Sequence, residues 1–176
     1  MNPTYNLVFI GDSLTEWYDW QERFPDRRVT NLGIAGEPVE GLLHRLDQAV
    51  RSMGDPDMIF LMTGINNIAM EHYEIGGMFR EIVERLARAF DRANVVVQSI
   101  LPVDLAWVDN KAIKDINRRL QDMARELRAD YLDIFSLFVT ESGKPMPGLL
   151  LDDGVHLSAD GYRVWADAVD AFLRSR

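Results

Sequence analysis

Short apolar runs alternate along this chain with amphipathic stretches of helical period, and that alternation leaves few folds open. Residues 5–10, 28–32, 57–62, 94–100 and 130–134 read as strands. The first, third and fourth are almost continuously apolar, the mark of strands covered on both faces, and β-branched residues dominate the fourth. Leu42, Leu43, Leu46 and Val50 recur at helical spacing over residues 39–50. So do Phe79, Ile82, Val83, Leu86 and Phe90 over 76–90, Ile113, Ile116, Leu120, Met123 and Leu127 over 111–127, and Tyr162, Trp165, Val169, Phe172 and Leu173 over 159–173. Each stripe is expected to face a sheet. Strands alternating with helices in this way predict a parallel sheet, and five strands predict an open three-layer α/β/α sandwich rather than a barrel of eight. Without a repeat, a low-complexity tract or a linker, residues 1–176 are expected to form a single domain.

Composition narrows the chemistry. Nineteen Lys and Arg against 28 Asp and Glu give a formal charge of −9, which disfavours nucleic acid and anionic membrane as partners. With no cysteine, disulfides, thiol nucleophiles and thiolate metal sites are excluded. No run approaches the roughly 20 apolar residues that span a bilayer. Met1-Asn2-Pro3-Thr4 carries no basic region followed by a long apolar stretch, so no signal peptide is expected and the chain reads as cytoplasmic.

Open parallel sheets bind ligands beyond the carboxyl ends of their strands. There the sequence places Gly11-Asp12-Ser13-Leu14, Gly33-Ile34-Ala35-Gly36, Gly64-Ile65-Asn66-Asn67, Leu101-Pro102-Val103-Asp104 and, before the last helix, Asp152-Asp153-Gly154-Val155-His156. A serine hydroxyl needs a neighbouring base to become a nucleophile. Ser13 stands at a strand-to-helix turn, a place that suits a nucleophile and equally an N-cap. Of the three histidines, His44 lies within an amphipathic helix and His72 in a loop, whereas His156 follows an acidic pair. Asp153, three residues earlier, is within reach of the imidazole Nδ1 and could fix its tautomer. Asn66 offers a carboxamide donor and Gly33 a closely approachable backbone N–H for an oxyanion; both also suit ordinary turns.

These blocks resemble the GDSL family, also called SGNH hydrolases. The resemblance rests on Gly11-Asp12-Ser13-Leu14, Asn31-Leu32-Gly33, Gly64-Ile65-Asn66-Asn67 and Asp153-Gly154-Val155-His156, in the family's order and across nearly the whole chain. It implies a flavodoxin-like sandwich and a catalytic triad of Ser13, His156 and Asp153. It also implies an oxyanion hole of the Ser13 N–H, the Gly33 N–H and the Asn66 side chain, with no cofactor and no metal. Many members carry aspartate where this chain has Asn67, and the Asn66-Asn67 form looks more like the branch of the platelet-activating-factor acetylhydrolase α-subunits. The implied activity is hydrolysis of a small-molecule carboxylic ester, with a short acyl group such as acetyl expected first.

Three other readings stay open: a carbohydrate O-acetyl esterase with the same triad, a catalytically silent binding subunit of the same fold, and a metal site at Asp152, Asp153 and His156. No Gly-x-Ser-x-Gly elbow supports an α/β-hydrolase, and no phosphate-cradling glycine signature follows the first strand. The substrate's walls are expected from residues 101–107 and 144–151, with Trp17 and Trp20 adding to an apolar rim. The relatives behind the resemblance include dimers, so a homodimer is among the assemblies it allows.

Overall fold

The computed structural model describes residues 5–176, so Met1-Asn2-Pro3-Thr4, where no leader was read, lies outside the described residues. Five strands, β1 (Asn6–Gly11), β2 (Arg28–Gly33), β3 (Met58–Met62), β4 (Asn94–Gln98) and β5 (Asp130–Leu132), pair in parallel in the order β2-β1-β3-β4-β5. This is the flavodoxin-like order, whose direction of winding reverses between β1 and β3. Gly11 is level with Gly33 on one side and Met62 on the other. The segments after β1, β2 and β3 therefore leave the sheet side by side.

The long helices follow the apolar stripes: α3 (Val39–Ser52), α5 (Gly76–Ala89), α6 (Asn110–Glu126) and α7 (Ala159–Arg174). Side chains alternate across a strand. On one face Phe9 stacks on Trp20 at 3.9 Å and on Phe60 at 5.0 Å between ring centroids. Trp165 of α7 meets Trp20 edge-on at 4.8 Å. Both buried indoles are satisfied, Trp20 donating to Thr15 O at 3.1 Å and Trp165 to Gln98 Oε1 at 2.7 Å, which lets large polar-tipped rings fill a core without penalty. Helix α5 lies between α3 and α6 over the opposite face.

Three single-turn helices had no periodic signal: α1 (Ser13–Glu16), α2 (Trp20–Arg23) and α4 (Ile65–Ala69). Local caps hold the first two, since Asp12 accepts from Leu14 N and Asp19 from Glu22 N. Two strands end earlier than the apolar runs suggest. After β4 the Ser99 hydroxyl accepts from the amides of Ile134 and Phe135 at 2.8 and 2.7 Å, and so draws the chain after β5 out of the ladder.

Asn67 shows why this position is an amide. Pro38 precedes α3 and supplies no side-chain cap. The buried Asn67 caps that helix from α4 instead: its Oδ1 accepts from Val39 N at 2.9 Å, and its Nδ2 donates to Glu40 Oε2 at 2.7 Å. That donated bond holds the Glu40 carboxyl below its ordinary pKa. An aspartate could still accept from Val39 but would set a carboxylate against Glu40. Asn67→Asp is expected to cost about 1–2 kcal/mol in urea denaturation at pH 7, and adding Glu40→Gln should recover most of that loss.

Candidate active site

The turn after β1 is tightly determined. A Cβ at Gly11 would collide with Met62 O, so the strand end closes against β3 only with glycine there. Asp12 Oδ1 accepts from Leu14 N at 3.1 Å and starts α1, which makes Ser13 its first residue. Ser13 Oγ lies 3.0 Å from His156 Nε2, and His156 Nδ1 lies 2.7 Å from Asp153 Oδ2. The other Asp153 oxygen accepts from the amides of Val155 and His156 at 3.0 and 2.9 Å. Partial burial opposes the charged form of Asp153, but these amides and the His156 ring outweigh it and hold the carboxyl below its ordinary value. Asp153 thus has both oxygens occupied and one orientation.

The loop bearing this pair is anchored to the loop after β4. Asp104 N donates to Gly154 O at 2.7 Å. Gly154 has φ +73, and a Cβ there would collide with Asp104 O. Only glycine suits both the left-handed backbone and the close approach. Leu151 N donates to His156 O at 2.7 Å, and Ser158 caps α7 immediately afterwards through Gly161 N.

Three donors stand at the level ends of β1, β2 and β3. The Ser13 N–H, at the open start of α1, bonds no other described group. Asn66 donates one amide proton to Glu37 O at 3.1 Å, and its second has no partner among the described residues. Glu37 is itself gripped by Arg45, whose Nε and Nη2 reach its carboxylate at 2.7 Å each. Gly33 packs its backbone on α1, where a Cβ would collide with Glu16 N. Its N–H donates to Asn31 Oδ1 at 3.0 Å, while Asn31 Nδ2 donates to Thr15 O at 2.9 Å. Gly33 therefore enters with a partner already in place.

The apolar surroundings differ from expectation. Trp20 is core, 1% exposed, and takes no part in a rim. Leu101, Pro102 and Val103 are likewise buried. Trp17, Ile34, Met70, Trp107 and Leu151, in segments that follow the strands, are instead exposed, as are Leu137 and Met146 after β5. Trp107 is fastened by its Nε1 to Ala69 O at 3.0 Å, and Trp17 stacks on the His156 ring at 4.1 Å between centroids. His44 and His72 are exposed away from these contacts. Among the described residues no three His, Asp or Glu side chains converge as a metal site, and Asp153 is committed to His156.

Asp12 carries a second, unanticipated property. It is 1% exposed, and its Oδ2 has no hydrogen-bond partner among the described residues. Burial, aided by the negative charge of Glu37 and opposed by the Leu14 amide, pushes its pKa up to about 7. The unfolded chain loses this proton near pH 4, whereas the folded protein keeps it until about 7. Stability from this group is thus full below pH 4 and falls as pH rises through that window. Asp12→Asn keeps the acceptor for Leu14 without a charge. Relative to wild type, its urea midpoint is expected to rise progressively from pH 5 to pH 8; a constant difference would contradict the neutral carboxyl.

Comparison with known proteins bears on the family and the fold. The model of the GDSL-like lipase/acylhydrolase family matches residues 9–164. Platelet-activating factor acetylhydrolase IB subunit alpha1 of Bos taurus is 28% identical over 176 residues, covering 95% of this chain and 74% of that protein. The Homo sapiens protein of the same name is 27% identical with the same coverage. The solved structure of a putative platelet activating factor from Streptococcus pneumonia superposes with a TM-score of 0.85 at 27% identity, over 98% of this chain and 85% of the other. An acetylxylan esterase from Geobacillus stearothermophilus shares the fold, with a TM-score of 0.78 at 21% identity over 99% and 94% of the two chains. With its motif blocks, its 2-1-3-4-5 sheet and a family match over most of its length, this chain belongs to the GDSL-like lipase/acylhydrolase family.

Proposed function

We propose that this protein is a serine esterase that cleaves short-chain, acetyl-type carboxylic esters through an acyl-enzyme. The observation that carries this reading is the continuous relay from Ser13 Oγ through His156 to Asp153, at 3.0 and 2.7 Å. His156 Nε2 takes the hydroxyl proton as Ser13 Oγ attacks the ester carbonyl, and Asp153 stabilises the imidazolium that results. The carbonyl π pair moves onto oxygen. The Ser13 N–H and the second Asn66 N–H receive that oxyanion, and the Gly33 N–H joins through a bond shared with Asn31 Oδ1. Collapse of the tetrahedral species breaks the ester C–O bond, and the alcohol departs with the proton from His156. Water, deprotonated by the same histidine, then releases the carboxylic acid and restores Ser13. Every proton and electron pair is accounted for by these side chains and water.

The acetyl assignment draws on the mammalian relatives, which are named acetylhydrolases. The acetylxylan esterase of the same fold extends the reading to acetylated sugars as carriers. Hydrolysis of p-nitrophenyl acetate, butyrate and octanoate separates the parts of this proposal. Wild type is expected to turn over acetate best, with activity declining along the series, and Ser13→Ala to fall to background. Asn66→Ala should lower kcat about 10²–10³-fold, the usual cost of one oxyanion donor. Equal activity in wild type and Ser13→Ala would refute the assignment, and an inert wild type would favour a silent binding subunit.

A further inference from the structure

We infer that Trp17 is a positioning residue, clamping the imidazole of His156 by its face and stabilising the cation that forms there. The inference rests on the triad reading above. Helix α1 is a single turn, and its closing bond runs from Trp17 N to Ser13 O at 3.0 Å. Ser13 and Trp17 are thus i and i+4, neighbours on one face of the same turn. His156 lies across both. Its Nε2 is 3.0 Å from Ser13 Oγ, and its ring stacks on the Trp17 indole at 4.1 Å between centroids and 20° between planes.

The hydrogen bonds to Ser13 and Asp153 act at the two ring nitrogens and constrain the imidazole only at its edge. They leave it free to swing about the line between them. A stacked indole removes that freedom. It also presents a negative π face to a ring that becomes positive when it accepts the serine proton, and tryptophan is the strongest such partner among the aromatic side chains. The burial pattern fits a role at the site better than one in the core. Trp17 is 54% exposed, whereas the neighbouring Trp20 and Trp165 are fully buried and hydrogen-bonded. Among the described residues its indole N–H has no hydrogen-bond partner of the kind that anchors Trp107 to Ala69 O. Among the described residues Trp17 makes its ring stack with His156 alone, while Trp20 stacks within the core aromatic cluster.

Wild type, Trp17→Ala and Trp17→Phe should be compared on p-nitrophenyl acetate and, by pH-stat, on ethyl acetate, with Ser13→Ala alongside. Trp17→Ala is expected to lose about threefold to thirtyfold in kcat with little change in KM on both esters, and Trp17→Phe to return to within about threefold of wild type. Proton NMR reads the contact without turnover. With only three histidines in the chain, loss of one set of ring signals in His156→Gln assigns His156. Those signals should be displaced upfield in wild type and Trp17→Phe, and should move toward the exposed His44 and His72 in Trp17→Ala. An unchanged kcat in Trp17→Ala, or a change confined to KM for the aryl ester, would overturn the inference; the second result would make Trp17 a platform for the leaving group. Undisplaced His156 signals in wild type would overturn it too, whatever the variants do. Activity retained in Ser13→Ala marks a different failure, that of the triad itself, and removes the clamp's role with it.

Discussion

Ser13 Oγ and His156 Nε2 meet at 3.0 Å although 143 residues separate them in the chain. A distance of that kind tolerates almost no slack, and much of the molecule can be understood as the means of removing it. The parallel sheet fixes the serine end: Gly11 closes on Met62 O, Asp12 starts α1 through Leu14 N, and Asn31 ties β2 to the carbonyl of Thr15. The histidine end sits on a loop, which is inherently looser, and is secured one bond at a time. Asp153 gathers the amides of Val155 and His156, Gly154 lies flat against Asp104, and Ser158 converts the loop into α7. The loop after β4, to which Gly154 docks, is pinned in turn. Asn117 bonds both the N–H and the C=O of Ile100 at 2.8 Å, and Asn110 does the same for Val103 at 2.9 and 2.8 Å. Two buried or half-buried asparagines thus carry positional order from α6 to the loop of Asp153 and His156.

How much of this could be read beforehand follows from the range over which each signal acts. The long helices and the apolar strands were legible because periodicity accumulates over many residues. Single turns such as α1 and α4 lack that length; α1 depends on the Asp12 cap, and α4 follows Gly64 in a left-handed conformation, φ +113. Ser13, Gly33 and Asn66, residues of the proposed site, stand out in blocks at strand ends, since a parallel sheet delivers its strand ends to one edge whatever the loops do, and the proposed Asp153 and His156 stand out in a block before the last helix. What lies around them does not. Residues 101–107 read as an apolar wall, yet Leu101 and Val103 turn inward and leave Trp107 outside. Trp17 and Trp20 look equivalent in sequence and part company because one follows α1 and the other begins α2. The signal that would have separated them, the i,i+4 spacing from Ser13, means something only once α1 is known to be helical.

Asn66 and Asn67 show two neighbours sharing one motif with different duties. Asn66 spends a single amide proton on Glu37 O and holds the other in reserve, whereas Asn67 uses its carbonyl and its amino group on Val39 and Glu40. Asn66 reaches Glu37 just before α3, where Arg45 fixes it, and Asn67 reaches the first turn of α3. An oxyanion donor needs to be aimed before the charge develops. Under the esterase reading, Asn66 would gain its aim from its neighbour, because Asn67 holds the start of α3, two residues after the Glu37 carbonyl to which Asn66 is bonded.

The two aspartates of the site are treated in opposite ways, and the difference has a chemical rationale. Asp153 is held toward its ionised form by three hydrogen-bond donors, one of them the His156 ring. Asp12 adjoins Ser13 directly, is buried, and keeps its proton to about pH 7. Under the esterase reading, negative charge builds at the carbonyl oxygen beside the Ser13 N–H, one residue from Asp12. An ionised carboxylate there, in a low dielectric, would oppose that oxyanion. Burial therefore favours the neutral form of Asp12 below about pH 7, as pairing favours the ionised form of Asp153. The cap needs only an oxygen that accepts from Leu14 N, and a neutral carboxyl supplies it without adding a charge to the oxyanion's side of the site.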